Sequence, residues 1–189
     1  IVGMLSNGRS IQTDETNTEE SKIVGDGADK AFYLGLDAQT DNIQAKKGYD
    51  TVIAEGKAKL TFDIIPGDNV LTYVWMDGTG EGAGSSWNAN RISLIVFTGG
   101  QIGIGGAGSG VSMAVCSYTP GVQYNCSIVI DLENDTFTAD IRNEAGALLG
   151  SATLDYKEHA GTDIKSLTGL TLQQWAASAN TGSTFDNIV

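Results

Sequence analysis

The sequence predicts an all-β fold, a two-sheet antiparallel β-sandwich filling one domain over residues 1–189. Three observations predict it. Short apolar stretches alternate with polar residues at a period of two. Glycine, at 25 residues against 2 prolines, punctuates them with tight turns and shows no collagen-like repeat. Helical stretches of the length a βαβ unit requires are missing between the strands. No break in composition calls for a second domain, and the length suits one undivided sandwich.

In chain order, residues 1–29 are loop-rich. The run from Thr13 to Glu20 is polar and acidic and has no stable period. Lys30 to Leu34 reads as a short strand, with Phe32 and Leu34 on one side and Tyr33 on the other. Ala38 to Lys47 offers no long apolar face and is read as room for a helical turn. From Leu60 the period is two: Leu60, Phe62 and Ile64 share a face, and Pro66-Gly67-Asp68 ends the strand. Asn69 to Asp77 and Asn90 to Phe97 are the next strands, followed by Gln101 to Ile104 after Thr98-Gly99-Gly100. Val111 to Tyr118 follows a glycine cluster. Gln123 to Asp131, Thr136 to Arg142, Leu148 to Tyr156, Leu167 to Leu172 and Thr184 to Val189 complete the set. About ten strands at regular spacing suit two packed sheets.

Charge excludes some functions. Asp and Glu number 23 against 11 Lys and Arg, giving a net charge of −12 with no basic stripe, so a phosphate backbone is repelled and nucleic acid is not expected as a partner. Strongly anionic glycans are disfavoured for the same reason. No apolar run reaches the length of a membrane-spanning helix, so no membrane insertion is expected. The chain does not begin with Met, and the expectation is a mature form or an excised domain of a larger protein. Cys116 and Cys126 are equidistant from Gly121, the last residue of the turn signal Thr119-Pro120-Gly121. A hairpin there would bring them face to face as a cross-strand disulfide, suited to an oxidising compartment; two buried thiols are the alternative.

The second half resembles a known family. Ile128-Val129-Ile130-Asp131, Thr136 to Ile141 and Leu149-Gly150-Ser151-Ala152 run strand, acidic turn, strand, glycine turn, strand, and Ser183 to Val189 looks like a closing strand. This is similar to the concanavalin A-like (laminin-G-like) jelly roll over roughly residues 30–189, with a galactose-binding-like jelly roll as the rival topology. The resemblance implies an extracellular setting, secreted or cell-surface. It also implies a range of roles: carbohydrate-binding modules, lectins, adhesion domains, glycanases and lyases. A structural calcium occurs in some members. The resemblance marks Asp186 for it, and Asp26, Asp29 or Asp68 could converge there. The bland account of these residues is turn capping.

Binding chemistry is expected on Asn69 to Asp77. If Val70, Val74 and Met76 face the core, Leu71, Tyr73 and Trp75 share the other face. A sugar ring presents C–H groups on one side against which a flat indole or phenol packs, while polar neighbours hold its hydroxyls. The alternative is a central strand covered on both sides, with Trp75 in a core. Trp87 lies in a loop rich in Gly, Ser and Asn that cannot readily bury an indole, and it either binds ligand or plugs the end of the sandwich. Asp77, Asn88, Asn90 and Arg91 would supply hydrogen bonds, and Tyr118 and Tyr124 would widen the platform. Trp175 is assigned to the core or to packing against a loop.

Catalysis is not expected. Glycoside hydrolysis needs two carboxyl groups at a fixed separation, and no strand here carries the alternate acidic residues, Glu-x-Asp-x-x-Glu or close to it, that glycan-hydrolysing members of the resembled family usually present. Asp140 with Glu144 and Asp131 with Glu133 are explained by turns. The only histidine, His159, has no patterned partner. No nucleophile elbow, P-loop or zinc motif is present. The sequence therefore points to a non-catalytic carbohydrate-binding module whose partner is a polysaccharide or oligosaccharide held by exposed aromatics. The alternatives are a structural or adhesion sandwich without a glycan site, or a glycanase or polysaccharide lyase.

Overall fold

The computed structural model describes residues 12–13, 20–24, 31–36, 42–81, 91–105, 113–156, 163–175 and 181–189. Within them the chain forms β1 (Gln12–Thr13), β2 (Glu20–Val24), β3 (Ala31–Leu36), β4 (Asn42–Ile53), β5 (Lys57–Pro66), β6 (Leu71–Glu81) and β7 (Leu94–Thr98). The second half adds β8 (Gln101–Gly105), β9 (Met113–Ser117), β10 (Tyr124–Asp131), β11 (Thr136–Asn143), β12 (Leu148–Asp155), β13 (Asp163–Trp175) and β14 (Thr181–Asp186). They make two seven-stranded sheets, β1-β4-β13-β6-β7-β8-β9 and β12-β11-β10-β5-β14-β3-β2, and every pairing is antiparallel. The all-β sandwich expected from the alternating pattern is the fold observed.

Alternation places the core. On β5, Leu60, Phe62 and Ile64 point inward; on β10, Cys126, Ile128 and Ile130 do; on β11, Phe137, Ala139 and Ile141 do. Val70, Val74 and Met76 meet them from the opposite sheet, with Ile95, Phe97, Leu170 and Leu172. The β7–β8 hairpin closes on Gly99 and Gly100, both at positive φ (54° and 78°), a two-residue turn whose twist suits antiparallel strands.

Three readings change. Asn42 to Lys47, read as part of a helical turn, is the first half of β4: it pairs with β13 from Trp175↔Asn42 to Leu170↔Lys47, and Ile43 and Ala45 are buried by that pairing. Glu20–Val24, within the loop-rich start, pairs with β3. The third change concerns the cysteines. Cys116 lies on β9 and pairs with β8; Cys126 lies on β10 and pairs with β5 and β11. The turn between them carries the chain from one sheet to the other rather than closing a hairpin, and both cysteines are free thiols. Burial pushes each thiol pKa up, that of Cys126 strongly.

Candidate binding face

The outward face of the β4-β13-β6-β7 sheet carries Tyr73, Trp75 and Asp77 of the predicted residues, with Arg91 bridged to Asp77. Leu71, Tyr73, Trp75 and Asp77 follow each other at alternate positions on β6. Opposite them on β13 stand Trp175, Gln173, Thr171 and Gly169. This register makes Tyr73 and Trp175 diagonal neighbours across the pair, within reach of large side chains. The split of Asn69–Asp77 into a core face and an opposite face is as the alternation indicated.

That opposite face is not an open shelf at Trp75. Its indole is 1% exposed and forms a second apolar cluster with Leu94 and Val96, against which Leu71 and Tyr73 pack. The Arg91 guanidinium lies over the Trp75 ring at 4.3 Å and near the Tyr73 ring at 5.8 Å, both within cation–π range. The expectation that Trp75 is exposed for binding is therefore corrected: the indole is a floor, capped by a cation that the Asp77↔Arg91 bridge brings to it.

Polar groups are built into this floor. The Trp75 indole N–H donates to Asp77 Oδ1 at 2.7 Å, and the Thr171 hydroxyl donates to Asp77 Oδ2 at 2.6 Å. Burial raises the Asp77 pKa, and the two hydrogen bonds with the nearby Lys46 and Arg91 charges oppose that rise. Burial also lowers the Arg91 pKa, partly offset by Tyr73 and Asp77. Gln173 and Thr171 are buried beside them.

Two aromatic rings on this face stay partly open. Tyr73 and Trp175 are each half-buried. The Trp175 indole nitrogen is itself buried and has no hydrogen-bond partner among the described residues. Of the two settings expected for Trp175, the core is not the one found: its pairing with Leu71 puts it on the outward face. The signal was available, since Gln173 and Trp175 alternate with the core-facing Leu172 and Gln174.

Tyr118 and Tyr124 do not widen a platform. They are 6% and 5% exposed, and both rings pack on Phe97 inside the sandwich, at 5.7 Å and 6.4 Å between centroids. The Tyr124 hydroxyl instead accepts a bond from the Thr119 amide and holds the crossing turn. Trp87, Asn88 and Asn90 lie outside the described residues, as do Asp26 and Asp29. Asp186 accepts a bond from the Asn187 amide at 2.7 Å, the turn-capping role. Among the described residues no three His, Cys, Asp or Glu side chains group as a metal site.

An outward-facing polar and aromatic sheet on a two-layer antiparallel sandwich resembles, in fold, the legume-lectin class. A Lotus tetragonolobus seed lectin aligns over 95% of this chain and 96% of its own, at 12% identity and a TM-score of 0.55. Lectin II from Ulex europaeus aligns over 93% and 94%, at 11% identity and a TM-score of 0.53. A sialidase superposes at a TM-score of 0.62 and 13% identity over 91% of this chain, which corresponds to 16% of that enzyme. At these identities the likeness is one of fold. No family model matches the sequence, and no curated protein matches it.

Proposed function

We propose that this chain is a non-catalytic carbohydrate-binding module of a larger secreted or cell-surface protein, holding a neutral polysaccharide or oligosaccharide on the outward face of β6 and β13. The observation that supports this most is that half-open Tyr73 and Trp175 are diagonal neighbours on one face, with Asp77 on the same face. Rings of this kind pack on the C–H side of a pyranose, and a few fixed polar groups read its hydroxyls. The likeness in fold to lectins supports the same reading. In this reading Trp87, Asn88 and Asn90, shortly before Arg91 in the sequence, add contacts, and Asp26, Asp29 and Asp186 hold a structural calcium.

Burial of Trp75 favours a second reading, a structural or adhesion sandwich with this face committed to packing. A glycan array run beside a reducing-sugar and unsaturated-product assay separates the readings. The proposal expects retention of at least one neutral glycan and no product. An array with no retained glycan contradicts it, and product release would point to an enzyme. Repeating the array with EDTA reads the calcium: retention that survives chelation removes it from the account.

A further inference from the structure

We propose that the end of the sandwich near Lys47 and Lys59 is a second binding site, independent of the glycan face, for a small amphipathic carboxylate with an alkyl or aryl body. A cavity of about 370 Å³ opens there between the sheets. Its walls are the apolar Ile53, Leu60, Met76, Leu170, Ile188 and Val189. That volume lies at the lower end of the roughly 300–1,000 Å³ common among small-molecule sites.

The charge around this cavity runs against the rest of the molecule. Three lysines line it, Lys47, Lys57 and Lys59, and no Asp or Glu does, in a chain of net charge −12. Lys57 is paired with Asp131 at 2.9 Å. Lys47 and Lys59 form no ion pair among the described residues; Lys47 shares the inward side of β4 with Ile43 and Ala45 and meets an anion at the mouth, while Lys59, which alternates with the inward-facing Leu60, adds positive charge from the outer rim. An apolar interior with a cationic mouth selects a ligand that is apolar at one end and anionic at the other. A free sugar lacks the apolar body, and a polyanion lacks an end that enters. Tyr49 is the remaining polar wall; burial, then the Asp77 charge, pushes its pKa up to about 12, so it stands as a neutral hydrogen-bond donor over the physiological range.

Calorimetric titration of the full chain with sodium decanoate below its micellar concentration tests this, with acetate and decyltrimethylammonium as controls. The expected result is one saturable decanoate site. Acetate, which has no body to bury, gives no heat of binding. The cationic analogue binds at least about tenfold more weakly, the factor one favourable charge contact of about 1.4 kcal/mol supplies. Lys47→Glu, at a half-buried position on the mouth, with Lys59→Glu, at an exposed one, weakens decanoate by a similar factor or more. Ala58→Phe, which fills the cavity from its own wall, abolishes binding. Should Ala58→Phe fail to fold, the lysine pair decides alone. Equal binding of the cation and the anion overturns the proposal. So does decanoate binding that the lysine variant leaves unchanged, or a stoichiometry well above one.

Discussion

Trp75 shows how one residue's surroundings decide its role. Its face was legible, because Val70, Val74 and Met76 on one side oblige Leu71, Tyr73 and Trp75 onto the other. Its burial was not, because the groups that seal it come from far along the chain: Arg91 stacks on the ring, Leu94 and Val96 pack against it, and Thr171 shares its hydrogen-bond partner Asp77. Alternation reports direction and says nothing of what arrives later to cover a face. A change of Trp75→Ala therefore acts on stability. It removes a filled indole and leaves the Arg91 guanidinium over a void, at an expected cost of about 3–5 kcal/mol. Denaturant titration checks this, and a loss below about 1 kcal/mol would return Trp75 to the surface.

At the scale of elements, the buried connection between sheets is polar as well as apolar. Thr72 on β6 donates to the Gln174 side-chain oxygen on β13 at 2.5 Å and meets the Ser183 hydroxyl on β14 at 2.7 Å, so three strands from two sheets share one clasp. Ser183 also donates to Gln174 at 3.3 Å. Fully partnered, such a group fixes which strands face each other; broken, it leaves buried polar atoms unsatisfied. Thr72→Val keeps the shape and removes the hydroxyl. It is expected to cost about 1–3 kcal/mol in chemical denaturation, and an unchanged midpoint would show that the clasp contributes nothing net.

The same scale explains which elements could be read. β5, β10 and β11 lie in the middle of their sheet with one face buried, so their period of two is clean. β4 carries Lys46, Lys47 and Gly48 directly after its buried Ile43 and Ala45, and its strand state comes from pairing with β13 rather than from its own pattern. Turn signals were read correctly as turns, but a turn does not say whether the chain stays in its sheet. Thr98-Gly99-Gly100 makes a hairpin, whereas Thr119-Pro120-Gly121 crosses to the other sheet, and that difference alone separates the expected cysteine pair into two sheets.

For the molecule as a whole, charge sets the response to acid. Asp131 caps the β10–β11 turn through the amides of Glu133 and Asn134 and pairs with Lys57. Its hydrogen bonds to Lys57 and Asn134 draw its pKa down to about 2. A carboxyl more acidic in the folded chain than in the unfolded one, where it is about 3.9, contributes stability that is fully present above the unfolded value and lost as the pH falls toward 2. Asp77 has the opposite sign: its raised pKa favours the folded chain most when it is protonated, and its contribution declines as pH rises through the folded value. Unfolding free energies measured from pH 5 to pH 2 are expected to fall less steeply in Asp131→Asn than in the parent, and equal slopes would remove Asp131 from the account.

The two-layer architecture was legible throughout, because a chain whose strands each bury one face has few ways to fold other than sheet on sheet. The candidate face was legible in part: Tyr73, Asp77 and Arg91 do come together, while Trp175 was expected in the core or against a loop and Tyr118 and Tyr124 are claimed by the core. Tyr73 and Trp175 are the half-open rings of that face. The most direct measurement is retention on the best array glycan by the double variant Tyr73→Ala with Trp175→Ala, read together with its melting curve. Both rings are half-buried, so the account predicts a folded protein, destabilised by less than about 2 kcal/mol per ring, that no longer holds the glycan. A folded double variant that holds the glycan as the parent does would contradict it.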